Sequence, residues 1–400
     1  MREGPGRARG GCRSHRDLSG FAARIARLLP SCAAAVLLGC GAVANPGGGG
    51  FLEDGNVGDV SGVTGKTRGE PNDAFEAAII AVFNAENEAS LQGTILTSED
   101  VDVFSLGLIS VGDRIRISAT TPGSPLDVSL VLFDADGAIV FANDDISDSN
   151  LDAELDHVAR HGGDPYYVMV SASTFAFPDE AEGTYRVEVR VDSGEEVPAP
   201  AAQALFLDFR GGTVNSPVLG TVEVDPFDAG RISSVYEGDD EELKALIRAE
   251  IVSNFSPFNV SVLTSDEFTP DDETQVTTLY FGGYAPDIFG EAEAIDWYNI
   301  NCCDDAIIYT EAFDPDSVFL SPPTVSQLAR AIGNVASHEA GHLLGLNHTN
   351  DDRDLMDDRS PSISLTRDQN FTIAPLSTQI APIGVQDSAL LLLETLGPPL

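Results

Sequence analysis

Lysine is almost absent from this chain of 400 residues, which contains only Lys66 and Lys244. Lysine and arginine together number 22 against 64 aspartate and glutamate residues, so the formal net charge is −42. Such a charge repels nucleic acid and anionic lipid headgroups, which excludes functions that depend on a basic patch. The acidic residues are spread along the chain rather than gathered in one tail. This spread indicates either a solvated acidic surface or carboxylate clusters that bind calcium.

The first forty residues have the layout of an export signal. Arg24 and Arg27 precede an apolar stretch at 28–38 that is too short to span a bilayer. The sequence Leu-Leu-Gly-Cys at 37–40 resembles a bacterial lipobox, whose cysteine is lipidated and becomes the mature N-terminus. A plain signal peptide with an incidental cysteine is the alternative. We therefore expect an exported protein, either anchored in the bacterial cell envelope through a lipid on Cys40 or extracellular.

Cysteine is scarce as well, with five in the whole chain. Beyond Cys40 the sequence has only the adjacent pair Cys302 and Cys303. In an oxidising compartment this pair could form a vicinal disulfide or an intermolecular bond, and two reduced, buried thiols are the third possibility. The sequence leaves these three open.

Composition divides the remainder into a Gly-rich tether at 41–68, a strand-rich segment at 69–192, a linker at 193–203 and a mixed segment at 204–400. In the strand-rich segment, short apolar or alternating runs are separated by turn residues, which predicts an antiparallel β-sandwich. The predicted strands are 101–108, 114–119, 128–133, 139–142, 166–172 and 184–191.

The segment 69–192 resembles the bacterial pre-peptidase C-terminal domain. The matching stretches are Glu-Pro-Asn-Asp at 70–73, Asp-Val-Asp-Val-Phe at 100–104, Asp-Val-Ser-Leu at 127–130, Leu-Phe-Asp-Ala-Asp-Gly at 132–137, Tyr-Tyr-Val at 166–168 and Gly-Thr-Tyr at 183–185. The resemblance implies an accessory, non-catalytic sandwich that in some proteins is associated with calcium. It departs from the family's usual order, because here the module precedes the peptidase segment.

Carboxylates at predicted strand ends are the candidate calcium ligands of this segment. They are Asp100, Asp102, Asp134, Asp136, Asp144 and Asp145. His157 and His161 lie four residues apart in the same segment without a third ligand nearby, and we interpret them as part of a solvated polar face.

The segment 204–400 alternates between strand and helix patterns. Strands are predicted at 204–210, 259–264 and 277–281, and a helix with Asp239 and Glu242 in capping-box positions is predicted to run to about Phe255. A second capping-box pair, Thr324 and Gln327, begins a helix with apolar periodicity that ends near Gly345.

That second helix carries the sequence His-Glu-Ala-Gly-His at 338–342. Residues four apart lie on one face of a helix, so His338 and His342 can bind one zinc ion. Glu339 is rotated by about 100° and is placed to act as a general base without ligating the metal. Gly345 permits a sharp exit from the helix, which brings His348 to the third ligand position and leaves the fourth open.

The full pattern His-Glu-x-x-His-x-x-Gly-x-x-His resembles the signature of the metzincin zinc peptidases. Met356, eight residues after the last histidine, fits the methionine turn of that family and has the spacing of the matrixin branch. Asp357 and Asp358 stand where relatives have proline or tyrosine, so no tyrosine is available there to bind the metal or the oxyanion. The stretch 385–397 looks like the closing helix of matrixins. The stretch 289–295 is a candidate for the edge strand that pairs with substrate, and an ordinary surface loop is the alternative.

The expected fold is therefore multidomain: an antiparallel β-sandwich followed by an α+β metzincin-like domain with a mixed twisted sheet and an active-site helix. The expected function is that of a secreted or surface-anchored zinc metalloendopeptidase. Its partners are protein or peptide substrates, with membrane contact only through the lipid anchor, and we expect a monomer. The alternative is a surface adhesion or binding protein whose peptidase site is vestigial.

If Cys40 is lipidated, Cys40→Ser should release the protein from the membrane fraction into soluble form, because the acyl chains that hold it there are not attached. Fractionation of cells that express each form, followed by immunoblotting, measures this. Equal membrane association of the variant and the parent would contradict the lipid anchor.

Overall fold

The computed structural model describes residues 71–147, 149–216, 220–271, 274–319, 321–359 and 363–400. The predicted export signal, the predicted lipidation site Cys40 and the predicted tether lie outside the described residues. Among the helices that the structure describes, none is long and apolar enough to cross a membrane.

Nine strands form the first part of the described chain, and they are all linked into two sheets. They are β1 (Ile79–Ile80), β2 (Glu88–Ile95), β3 (Val101–Ile109), β4 (Arg114–Thr120), β5 (Val128–Phe133), β6 (Ile139–Asn143), β7 (Ala153–Val158), β8 (Gly163–Ala172) and β9 (Gly183–Asp192). The strand orders are β1-β3-β8-β5-β6 and β2-β9-β4-β7, and every pair except β1 with β3 is antiparallel. We refer to these nine strands as the sandwich, because the inner faces of both sheets share one apolar core.

All six runs that the sequence predicted as strands are strands in the structure. Sequence patterns missed β1, which has only two residues. They also missed β2 and β7, since β2 has small and polar residues in place of a β-branched run and β7 is short, with two acids among its six residues. In the structure β2 and β7 alternate buried and exposed residues, because one side of each strand packs against the opposite sheet.

The carboxy-terminal region, residues 203–400, is built on a five-stranded mixed sheet. Its strands are β10 (Gln203–Asp208), β13 (Val260–Thr264), β14 (Thr277–Phe281), β15 (Gly290–Ala292) and β16 (Asp305–Ile308). The order is β13-β10-β14-β16-β15, parallel throughout except for β15, which runs antiparallel at the edge. Two hairpins complete the strands: β11 (Gly212–Ser216) with β12 (Gly220–Val224), and β17 (Ile373–Pro375) with β18 (Val385–Asp387).

Helices cover one face of this sheet. They are α1 (Ala229–Ile232), α2 (Asp240–Asn254), α3 (Pro315–Val318), α4 (Val325–Leu343) and α5 (Ser388–Leu396). The apolar stripe of α2 packs with α4 and with the inward residues of β14 and β16 in one core. The hairpin β11–β12 packs on the opposite face, beneath Ile307 and Tyr309. The sheet is therefore covered on both sides, as a largely parallel sheet requires.

One of the two predicted capping boxes forms. At the start of α4, the Thr324 hydroxyl accepts from the Gln327 amide at 3.3 Å, and Gln327 Oε1 accepts from the Thr324 amide at 3.0 Å. At the start of α2 the prediction was wrong, because the Asp239 side chain makes no capping bond. Asp240 instead accepts from the Ala229 amide at 3.0 Å, so a tertiary contact replaces the local one.

The interpretation of His157 and His161 as a solvated face was wrong. His157 is the inward residue of β7 and only 5 % exposed, because a strand turns alternate residues to the same side. His161 bridges two acids from different regions, with Nε2 2.7 Å from Asp134 and Nδ1 2.9 Å from Glu394 of α5. Both histidines therefore belong to the contact between the sandwich and the carboxy-terminal region.

The ion pairs of His161 predict a pH dependence of stability. Hydrogen bonds that the His161 ring donates to Asp134 and then to Glu394 raise the pKa of His161 to about 10 from an ordinary 6.5, against the opposing effect of burial. Since the folded pKa is the higher one, the stabilisation is complete below about pH 6.5 and is lost as pH rises through about 10. The other neighbouring groups are the Tyr166 ring and Arg160, the preceding residue in the chain.

We therefore expect His161→Gln to lower the free energy of unfolding by roughly 1 kcal/mol or more at pH 6 and by much less at pH 10.5. Thermal denaturation of both proteins at each pH measures the difference. Arg186→Ala is the control, since it removes an exposed arginine that pairs with Glu188 on the surface of the sandwich. A penalty for His161→Gln that is the same at both pH values would contradict the assignment.

Candidate metal centre

Helix α4 presents His338 and His342 one turn apart, with their Nε2 atoms 3.1 Å from each other. Each ring is fixed at its other nitrogen by a backbone carbonyl. His338 Nδ1 lies 2.7 Å from the Leu355 oxygen, and His342 Nδ1 lies 2.8 Å from the Leu346 oxygen. Carbonyl oxygens only accept, so Nδ1 carries the proton and Nε2 presents its lone pair.

The chain leaves α4 through a tight turn at Gly345, whose φ is +96°. The amides of Gly345 and Leu346 donate to the carbonyls of His342 and Gly341, at 2.9 Å each. A Cβ at Gly345 would lie 2.9 Å from the Tyr298 amide nitrogen, so both the backbone angle and the close approach require glycine here. The turn places His348 Nε2 3.0 Å from that of His342 and 3.2 Å from that of His338.

The three nitrogens fit a zinc ion. Zinc binds imidazole nitrogens at about 2.0–2.1 Å, so these three Nε2 atoms would hold the ion and leave a further ligand position for water or substrate. Burial lowers the pKa of all three imidazoles, that of His348 to about 3, so they are neutral and able to ligate. Among the described residues, no other group of three or more His, Cys, Asp or Glu side chains brings its ligand atoms within 4.8 Å of one another.

Glu339 is buried beside the histidines but is not one of the converging groups. Its carboxylate faces the edge strand β15, where the Ala292 amide donates to it and the absence of a side chain at Gly290 leaves room for it. Burial, and then the nearby Glu291 carboxylate, raise the pKa of Glu339 to about 8. A cation bound to the three imidazoles would act in the opposite direction.

Met356 is fully buried against helix α4, where a Cβ on Gly341 would lie 2.5 Å from its sulfur. The turn that contains it also serves two ligands. The Leu355 carbonyl orients His338, and the Met356 carbonyl accepts from the Thr349 amide at 2.8 Å, next to His348. The structure thus places Met356 against Gly341, the helix residue before His342, and its role as the methionine of a metzincin turn stays a prediction.

The predicted edge strand at 289–295 is β15, which pairs with β16 on one side and ends the sheet on the other. Gly290 and Ala292 lie on the α4 face beside Glu339, while Glu291 turns to the hairpin face. There its carboxylate accepts from Tyr309 Oη at 3.1 Å and from the Ser216 hydroxyl.

Sequence reasoning missed the side chains that hold the third ligand. Gln386 of β18 accepts from the Asn347 amide at 2.7 Å and donates to the Asn347 carbonyl at 2.8 Å. The Ser377 amide donates to the His348 carbonyl at 3.0 Å, and its hydroxyl donates to Asp358 at 2.5 Å. Gln386 lies 39 positions from Asn347, and no local pattern signals a contact at that separation.

The candidate calcium ligands do not form one cluster. Asp100 accepts from the Leu96 amide at 2.6 Å, Asp102 from Asn72 at 2.7 Å, and Asp144 from the Ser173 hydroxyl at 2.8 Å. Asp134 accepts from the Asp136 amide and from His161, and Asp145 is buried next to Asp144. Calcium in the sandwich stays a prediction.

The structure decides one of the three possibilities for Cys302 and Cys303. The sulfur atoms of Cys302 and Cys303 are 4.0 Å apart, about twice the length of a disulfide bond, and Cys302 is a free thiol. A vicinal disulfide is therefore not formed.

The comparison with family models supports a zinc peptidase. A family model for matrixins matches residues 287–376, which include β15, the three histidines, Glu339 and Met356. This match is consistent with a metzincin-like zinc peptidase. No curated protein matches the chain.

Several solved structures resemble parts of the chain. Archaemetzincin from Methanopyrus kandleri is 14% identical, over 43% of this chain and 89% of its own, with a TM-score of 0.25. A zinc-dependent peptidase from Methanocorpusculum labreanum is 17% identical over 42% and 94%, with a TM-score of 0.24. PliG from Salmonella Typhimurium, a periplasmic inhibitor of g-type lysozyme, is 18% identical over 29% and 98%, with a TM-score of 0.19. Likenesses with TM-scores this low support no inference about function.

The hydrogen bonds of Gln386 generate a prediction about metal affinity. Gln386→Ala frees the backbone of Asn347 and lets His348 move, so the zinc dissociation constant should rise by about tenfold. His348→Ala, which removes a ligand, should raise it further. Competition with a chromophoric chelator measures both constants. Gln379→Ala, at an exposed glutamine in the same region, is the control and should change nothing. A zinc dissociation constant for Gln386→Ala equal to that of the parent would show that metal binding does not depend on the hydrogen bonds between Gln386 and Asn347.

Proposed function

We propose that this protein is a zinc-dependent metalloendopeptidase of the metzincin type that is exported and acts on protein or peptide substrates. The observation that supports this most strongly is the convergence of three buried, neutral imidazoles with Glu339 beside them. Such a set of three protein ligands leaves a coordination position free, which is typical of catalytic rather than structural zinc sites.

When bound, zinc supplies Lewis acidity, since it lowers the pKa of a water toward 7 and polarises a carbonyl oxygen. The chain's own contribution to the chemistry is Glu339. Its carboxylate takes one proton from the attacking water as the oxygen bonds to the peptide carbon, and then gives that proton to the nitrogen when the C–N bond breaks. One water is consumed: its oxygen and its second proton stay on the new carboxyl group, and a carboxylic acid and a neutral amine are released.

The free side of β15 supports binding of an extended substrate. An antiparallel edge strand exposes backbone donors and acceptors that a peptide in extended conformation can pair with. Because Gly290 and Ala292 contact Glu339, a peptide paired with this strand would run past the carboxylate. This arrangement fits hydrolysis within a chain rather than at its end.

The remaining assignments are proposals on the sequence alone. They are the lipid anchor at Cys40 in the cell envelope, a monomeric state, and calcium at carboxylates of a sandwich of the pre-peptidase C-terminal type. A rise in melting temperature with millimolar calcium, beyond that given by matched sodium chloride, would support the last of these.

The test of the catalytic assignment is Glu339→Ala. Alanine is the best helix former and the three histidines remain, so zinc should stay bound and the fold should persist. Turnover of an unfolded protein such as casein should fall by about 10²–10⁴-fold, the usual loss when a general base is removed. Glu339→Asp should also be poor, because its shorter side chain withdraws the carboxylate from the water.

Glu241→Ala is the matched control, because Glu241 is an exposed glutamate of α2 that pairs only with Lys244 among the described residues. It should keep the parent rate. Equal proteolysis by Glu339→Ala and the parent would remove Glu339 from the mechanism. A zinc-loaded parent that cleaves no unfolded protein would instead favour the vestigial binding protein.

A further inference from the structure

The sandwich contacts the carboxy-terminal region through the loop between β15 and β16. Trp297 stacks on Phe141 of β6, with ring centroids 5.2 Å apart, and Tyr298 stacks on His157 of β7 at 5.6 Å. The Arg160 guanidinium lies 4.1 Å from the centre of the Tyr298 ring. The Tyr298 hydroxyl donates to the carbonyl of Val140, in β6, at 3.0 Å. Two consecutive aromatic side chains are thus held by the sandwich.

The backbone of this loop is held in a conformation that it would rarely adopt alone. Tyr298 and Asn299 have φ of +61° and +52°, in the left-handed region that non-glycine residues seldom occupy. Residues in such regions persist where surrounding contacts over-determine them. For Tyr298 those contacts come from the sandwich.

The opposite side of the same loop touches the metal centre. The Asp296 amide donates to the carbonyl of His342, a predicted zinc ligand, at 3.0 Å. The backbone of Trp297 and Tyr298 lies against Gly345, where a Cβ would come within 3.0 and 2.9 Å of them. The turn that brings His348 to the metal is therefore in contact with a loop that the sandwich holds.

A second route joins the two parts of the chain. The Val385 amide donates to the carbonyl of Gly137, in the turn between β5 and β6, at 3.0 Å, and Val385 forms a β-bridge with Ala138. The next residue is Gln386, whose side chain holds the backbone of Asn347 beside His348. Both routes lead from the sandwich to residues 345–348.

We propose that the sandwich is a positioning element for the metal-ligand turn at 345–348, and that it acts through Tyr298 on one side and Val385 and Gln386 on the other. The identity of the metal as zinc rests on the proposed function. The proposal itself concerns the chain's own backbone, which can be measured without metal. None of the sandwich residues involved touches the reacting atoms, so they are positioning residues.

The experiment uses the full chain and perturbs only the sandwich side of the contact. Phe141→Ala combined with Arg160→Ala removes the surfaces under Trp297 and Tyr298 and leaves residues 203–400 unchanged. In the metal-free protein, amide hydrogen exchange at 345–348 should become at least about tenfold faster. The zinc dissociation constant, measured against a chromophoric chelator, should rise by about tenfold, as for other groups that support metal ligands. Arg116→Ala, which removes an arginine paired with Asp192 on the sandwich, is the control and should match the parent.

Tyr298 provides the second pair of variants, in case the double variant does not fold. Tyr298→Ala should have the same two effects, whereas Tyr298→Phe keeps the stacked ring and should restore parent values to within about twofold. Faster exchange at 296–299 with parent-like exchange at 345–348 and an unchanged zinc constant would overturn the proposal. If the parent binds no zinc, the proposed function fails, and hydrogen exchange alone still decides whether the sandwich holds the turn.

Discussion

The turn at Gly345 is the constraint on which the metal centre depends. Two imidazoles on one helix face come together through helix geometry alone, but a third can join them only if the chain reverses within six residues. A positive φ makes the reversal possible, and the close approach of Tyr298 excludes any side chain there. The loop before β16, the turn that contains Met356 and the side chain of Gln386 all pack around this short segment.

Burial of this segment decides its chemistry. Desolvation keeps the histidines neutral, which is the form that binds zinc, and it also raises the pKa of Glu339. A buried carboxyl group next to buried imidazoles is costly for folding, and a cation would offset that cost for the whole group. The edge strand β15 also accommodates the buried Glu339 carboxylate, because Gly290 leaves space for it and the Ala292 amide donates to it.

The sandwich and the mixed sheet are not independent neighbours. An apolar cluster contains Phe133 and Ile139 of the sandwich together with Leu376 and Ala381, and His161 joins Asp134 to Glu394 across the same contact. A flexible connection would have been the ordinary expectation for two segments separated by a linker. The contact instead includes the loop that lies against Gly345, which links the stability of the sandwich contact to the geometry of the metal centre.

The sequence by itself determined the local features of this protein. Patterns within a few residues predicted the four-residue spacing of His338 and His342, the Thr324 capping box, six sandwich strands and the spacing of Met356 from His348. Helix and strand geometry leave few alternatives at that range. The sequence did not determine the hydrogen bonds by which Gln386 and Ser377 hold the backbone around His348. It also did not determine that Tyr298 stacks on His157, or that His157 is buried. Those contacts join residues far apart in the chain, and each residue type is also common on exposed surfaces. Only packing of the two regions against each other selects one partner for each side chain, and that selection was made by the tertiary structure.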